Sequence, residues 1–217
     1  MTWDIKAGVM GKTQRIAAEY ILSHFPTVRE QLSTDAYIQM GNERREELWG
    51  KVEPMRGAAA LVKGLHAAGI PIALATGSSL ANLELKTSHL PEMFSLFPET
   101  SILTADSPEV KPGRGKPYPD IFLAAAHSLG RDVGTAESCT PAQKAERERG
   151  IVFEDARPGV NAGVAAGMNV IWVPDPELLA LNPGENYGAK RVLTHLEEWD
   201  PTEWGLPPLP GFNDRQQ

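Results

Sequence analysis

Three short stretches carry residue types that could handle a phosphate ester. Glu154 and Asp155 stand side by side directly after an apolar run, Ile151-Val152-Phe153. Two adjacent carboxylates suit a hard cation such as Mg²⁺, which takes oxygen ligands and keeps several waters. Acids are also common caps where a helix begins, and that plainer account stays open. Thr76-Gly77-Ser78-Ser79 is a hydroxyl-rich turn. Such a turn can offer N–H groups and hydroxyls to a phosphate, or simply cap a helix. Lys116 lies in a loop with prolines on both sides, Pro112 and Pro117, which hold a cation near one place. Taken alone it would be an ordinary surface lysine.

The surrounding periodicity says how these residues are held. Ile151 to Glu154 reads as a buried strand, Pro158 and Gly159 open a helix, Gly167 closes it, and Asn169 to Val173 is the next strand. The acidic pair therefore sits at the carboxyl end of a strand, where open α/β sheets bind their ligands. Ile70 to Thr76 is a near-continuous apolar strand preceded by a helix over 58–68 and followed by one over 80–88. A short strand is expected over 101–104, and a helix from Pro119 ending at Gly130. Apolar strands alternating with helices predict a doubly wound parallel sheet. The segment 131–150 is long and polar for a connection and reads as a loosely ordered surface excursion. Arg191 to Leu193 offers a further strand, and the proline-rich tail from Pro201 reads as irregular. Before any strand come two helices, one over 10–24 ended by Pro26 and one capped by Ser33 or Thr34 and running to Trp49. They predict a helical lobe over 2–53, a core over 54–200 and a tail over 201–217.

The chain is long enough, at 217 residues, for one domain or for one domain with an inserted subdomain. Its 21 basic and 28 acidic residues give a net charge of −7, which argues against a nucleic-acid surface. Cys139 is the only cysteine, so no internal disulfide is possible and a reducing compartment is expected. No apolar run approaches the ~20 residues of a membrane span, and the first residues lack a signal peptide's apolar core. Cytoplasmic residence, with no membrane partner, is the expectation.

With these residues in view, the sequence resembles the haloacid-dehalogenase (HAD) superfamily of phosphatases. LATGSS is similar to its second motif, GKPYPDIF to the third, and VFEDARPGVNAGVAAGM to the fourth. Within the superfamily it most resembles the pseudouridine-5′-phosphatase-like branch with a helical (C1-type) cap, through TWDIKAGVMGK, GIPIALATGSS, FEDA, VPDPELL and WGLP. The resemblance implies an α/β Rossmannoid core under a cap, and a small phosphorylated metabolite as substrate, nucleotide- or sugar-phosphate-like. It implies that Thr76, Gly77, Ser78 and Lys116 bind the phosphate, with Thr76 and Lys116 acting in catalysis. Glu154 and Asp155 would hold Mg²⁺, and Lys12 of the cap would contact substrate.

One departure matters as much. The family opens on a strand ending in D-x-D, whose first Asp is the nucleophile, and no D-x-D occurs in this chain. Three readings follow: a Mg²⁺-dependent phosphomonoester hydrolase that is impaired as it stands, a non-catalytic phosphate-binding or interaction relative, or part of a longer phosphatase. Mg²⁺ binding is expected to be weak or absent. The missing strand belongs, by resemblance, between Ile70–Thr76 and Ile151–Glu154, and its removal would leave a slot roughly 9–10 Å wide. Buried unpaired backbone groups cost about 1–3 kcal/mol each. The expectation is therefore that the two bordering strands close up and pair directly.

Overall fold

The computed structural model describes residues 1–10, 12 and 14–212. The chain opens with four helices, α1 (Trp3–Val9), α2 (Gln14–Ser23), α3 (Pro26–Arg29) and α4 (Thr34–Trp49). The core follows as α5 (Ala58–Ala67), β1 (Leu74–Ala75), α6 (Leu80–Thr87), α7 (Pro91–Phe94), β2 (Ile102–Leu103), α8 (Asp120–Ser128) and α9 (Pro141–Arg147). It continues through β3 (Ile151–Glu154), α10 (Arg157–Ala165), β4 (Asn169–Trp172), α11 (Pro176–Leu181) and β5 (Arg191–Val192), with short 3₁₀ turns at 196–198 and 201–204. All strand pairs are parallel, so the α/β class and the helical cap follow the sequence pattern.

The single closed sheet does not. β1 pairs with β2, and β3, β4 and β5 form a second sheet in that order. No pairing joins β1 to β3 among the described residues, and no strand lies between them. The two sheets nevertheless share their covering layers. Ala73, Ala75 and Val152 face one cluster, built on α8, α10, Val170 and Trp172. Ile70, Ile72, Ile151 and Phe153 face the other, built on α5, Ile171, Trp199, Leu209 and Phe212. Alternation along a strand assigns these faces, so β1 and β3 run as neighbours across an open seam. The expected closure fails because its premise, full burial of the two edges, is not met. Leu74, Ala75, Ile151 and Phe153 are all only half-buried. Water reaches the seam, so unpaired groups there escape the full desolvation cost.

One further expectation is corrected. Residues 131–150 are ordered around α9, which Thr140 and Gln143 open with a reciprocal capping box. Arg147 of α9 is buried and donates from Nε to Val133 O and from Nη2 to Thr135 O, both at 2.6 Å. The tail is irregular in backbone but fixed in place, since Leu209 and Phe212 are buried against α5. Gly64 makes that approach possible: a Cβ there would lie 3.0 Å from the Leu209 Cβ. Ser33 caps α4 as expected, accepting from Ala36 N–H at 3.2 Å. The lobe is not detached. Trp3, Ala7 and Met10 of its first helical segment pack on the core cluster.

Candidate phosphate site

β1 ends at Ala75, and Thr76 donates its N–H to Leu103 O at 2.9 Å, which pins the turn to β2. The Thr76 hydroxyl accepts from Ser78 N–H at 3.1 Å, and Ala105 N–H reaches Ser78 O at 2.9 Å. Ser79 then caps α6 through Asn82 N–H. Asp106 supplies a second cap, accepting from Leu80 N–H at 3.1 Å and from the Thr104 hydroxyl at 2.6 Å. These bonds, the Thr104 hydroxyl's first, hold the Asp106 carboxyl below the usual aspartate range. The turn is thereby tied at both ends, with Gly77 exposed at its tip.

Lys116 enters from the loop before α8. Arg114 grips Asp120 in a two-bond fork, Nε to Oδ1 at 2.6 Å and Nη2 to Oδ2 at 2.8 Å, and this anchors the loop to the start of α8. The Lys116 ammonium donates to Ala75 O at 3.0 Å and pairs with the Glu154 carboxylate, with the Phe122 ring 5.0 Å away. One cation thus spans the seam, joining the end of β1 to the end of β3. Glu154 is held tightly. Its carboxylate lies against α10, where a Cβ at Gly159 would collide with it. Burial pushes its carboxyl above the usual range, against the opposing pull of Lys116.

Asp155 is exposed, and its carbonyl accepts from the Trp172 indole N–H at 2.9 Å, which fixes the backbone where β3 gives way to α10. Glu154 is engaged by Lys116, so Asp155 is the carboxylate left free of the pair. Among the described residues no group of three His, Cys, Asp or Glu side chains converges as a metal cage. With Glu154 paired to Lys116, the two acids do not present a joint pair of oxygens to a cation, and a Mg²⁺ ion at Asp155 would keep most of its waters.

Of the residues singled out from sequence, Thr76, Gly77, Ser78, Lys116, Glu154 and Asp155 meet at one edge of the two sheets. Lys12 does not join them. It is exposed in the cap, with its ammonium 5.8 Å from the Tyr20 ring. Sequence reasoning missed Lys86. This lysine of α6 donates to the Ser78 hydroxyl at 3.0 Å and lies 5.3 Å from the ring of Trp49 on α4. The available signal was helical phase, because Lys86 follows Ser79 by two turns and long side chains lean toward the helix N-terminus. Arg114 and Asp120 were missed too, since a pair across a loop has no periodicity to reveal it.

Comparison with known proteins identifies the family. The haloacid dehalogenase-like hydrolase family matches residues 5–167. (DL)-glycerol-3-phosphatase 2 of Arabidopsis thaliana is 37% identical over 97% of this chain and 80% of its own length. The probable pseudouridine-5′-phosphatase YKL033W-A of Saccharomyces cerevisiae is 35% identical over 95% of this chain and 83% of its own. A crystal structure of a HAD family hydrolase from Deinococcus radiodurans R1, with bound phosphate and sodium, is similar with a TM-score of 0.63. It is 28% identical and covers 88% of this chain and 77% of that one. A HAD hydrolase from Entamoeba histolytica, at 22% identity and TM-score 0.64, shares the fold over 94% of this chain and 82% of its own.

Proposed function

Because the chain belongs to the haloacid dehalogenase-like hydrolase family, we propose that it is built to hold the phosphoryl group of a small phosphorylated metabolite. Thr76, Gly77, Ser78 and Lys116 make the cradle. The observation that carries this is the position of Lys116. Its ammonium sits one residue from Thr76 and against Glu154, so three segments distant in sequence converge on one charge. A cation held beside a hydroxyl-rich turn is the arrangement that stabilises phosphoryl oxygens.

Turnover by this chain is a separate matter. It has no D-x-D, and loss of a covalent nucleophile commonly costs on the order of 10⁴-fold or more. The reading is therefore phosphate recognition with little hydrolysis, and weak Mg²⁺ binding at Asp155. Relatives of nearly equal identity are named for glycerol 3-phosphate and pseudouridine 5′-phosphate, which supports the substrate class and favours neither branch. No helix among the described residues is long and apolar enough to cross a membrane, and the lone Cys139 is a free thiol. Cytoplasmic residence belongs to the same reading.

Hydrolysis of an aryl phosphate with Mg²⁺, set beside the Asp155→Asn variant, tests the proposal together with calorimetric titration of orthophosphate. We expect measurable orthophosphate binding and negligible turnover. Brisk turnover abolished by Asp155→Asn would show that another group has taken the nucleophile's place.

A further inference from the structure

β5 is the outer strand of the second sheet, with β4 between it and β3. Strands lie ~4.8 Å apart, so β5 stands roughly 10 Å from β3 and farther still from the Thr76 turn beyond the seam. Here Lys190, Arg191, Glu203 and Trp204 line a hollow of about 480 Å³, open to solvent. Small-molecule sites commonly span roughly 300–1,000 Å³.

The walls of this hollow are fixed by bonds on both sides. Lys190 donates its N–H to Val170 O at 2.8 Å, where β5 begins. Arg191 stands opposite Ile171, which faces the cluster that Trp204 packs against. Trp204 closes the 3₁₀ turn over Pro201–Trp204, and Asp200 caps that turn by accepting from the Thr202 N–H at 2.8 Å and from its hydroxyl at 2.7 Å. Arg191 Nη2 donates to Glu203 Oε2 at 2.8 Å and so ties turn to strand. Trp204 is half-buried, and its indole nitrogen is fully buried with no hydrogen-bond partner among the described residues. The part of the ring that meets solvent is therefore carbon. Among the described residues Lys190 pairs with no carboxylate, whereas Arg191 is answered by Glu203. Two cations and one acid leave the hollow one positive charge, on a chain whose net charge is −7.

We propose that this hollow binds a small aromatic monocarboxylate, with its ring against Trp204 and its carboxylate at Lys190. An apolar indole surface beside an unanswered ammonium is complementary to such a molecule, since the rings stack and the head group takes a charge-assisted hydrogen bond. A phosphate dianion fits less well, because its second charge would face the Glu203 carboxylate.

A matched pair of probes tests the site. 2-Naphthoate and the neutral 2-naphthylmethanol share a ring system and differ in the head group. Each is titrated into the full chain and followed through the backbone amides by NMR. We expect 2-naphthoate to saturate, to shift the amides of 190–192 and 203–205, and to bind about tenfold more tightly than the alcohol, as one charge-assisted contact gives. In Lys190→Gln that advantage should fall toward one while the alcohol binds as before. Trp204→Ala should weaken acid and alcohol alike. Lys190 is exposed, so its variant carries the test if Trp204→Ala unfolds, which circular dichroism would report. Equal affinity for the two probes in the unmodified chain would overturn the site, as would an advantage that survives Lys190→Gln or the absence of any saturable shift. Shifts confined to 76–79 and 116 would place the acid in the phosphate cradle and overturn it as well.

Discussion

Lys116 is tied into the fold through Glu154 and Ala75, and the phosphate role proposed for it can be tested apart from that tie. Its side chain is 15% exposed and that of Glu154 only 8%. Removing one member of a buried pair leaves the other charge without compensation, at a cost of about 3–5 kcal/mol. Lys116→Met should therefore lower stability strongly in chemical denaturation, and orthophosphate binding with it. Adding Glu154→Gln to that variant should recover most of the stability, because the stranded charge is gone, and none of the phosphate affinity. Recovery of both would mean that the lysine serves the fold alone. Asp106 offers a pH test at the same scale. Its folded carboxyl titrates below its unfolded value, so the fold binds fewer protons than the unfolded chain across that interval. The stability it contributes is complete above the ordinary aspartate range and is lost as pH falls through the depressed folded value. Asp106→Asn should flatten that part of the acid limb, and an unchanged acid limb would refute the assignment. Thr76, Lys116, Glu154 and Asp155 were legible in the sequence because each adjoins a strand end or a proline-bounded loop. Lys86 was not singled out, since a half-exposed helical lysine that reaches a hydroxyl looks in sequence like one that reaches water.

At the level of single elements, the strands and helices of the core followed from apolar runs punctuated by glycine and proline. Gly57 and Gly69, both at positive φ, flank α5 as such punctuation should. The segment 131–150 was misread for a physical reason. Its polar surface is real, but one arginine turns inward and satisfies two carbonyls that would otherwise be orphaned. Composition cannot show which of several arginines does this. The tail is irregular as its prolines suggest, and only its packing lay beyond the sequence. Its prolines do exclude a strand, yet Leu209 and Phe212 need no regular backbone to fill the groove beside Gly64. Leu209→Ala should cost about 2–5 kcal/mol, the range for truncating a buried leucine. A loss under half a kcal/mol in the denaturation midpoint would show that the tail is only draped over α5.

For the molecule as a whole, the seam between the two sheets is the feature that sequence could not place. Apolarity told which segments were strands, but pairing depends on what lies between them. The parallel ladder decides which groups face the seam. Thr76 N–H bonds to Leu103 O and Val173 N–H to Glu154 O, so the N–H groups of Ala75 and Phe153 point the other way. Hydrogen exchange followed by NMR should find these two amides fast, while those of Thr76 and Val173 exchange slowly. Equal protection on both sides would mean that β1 and β3 are paired in solution.

Across an intact sheet, backbone bonds fix how one strand may slide past the next. At the seam that register is absent, and among the described residues the joint consists of side-chain packing on two faces and the Lys116 ammonium. Apolar contact has no preferred offset, and a lysine head can follow a carbonyl by rotating its own bonds. The plane between β1 and β3 is thus the one expected to yield first. Shear applied to the protein is taken up between β1 and β3, with the Thr76 turn moving on one side of the slip and Asp155 on the other.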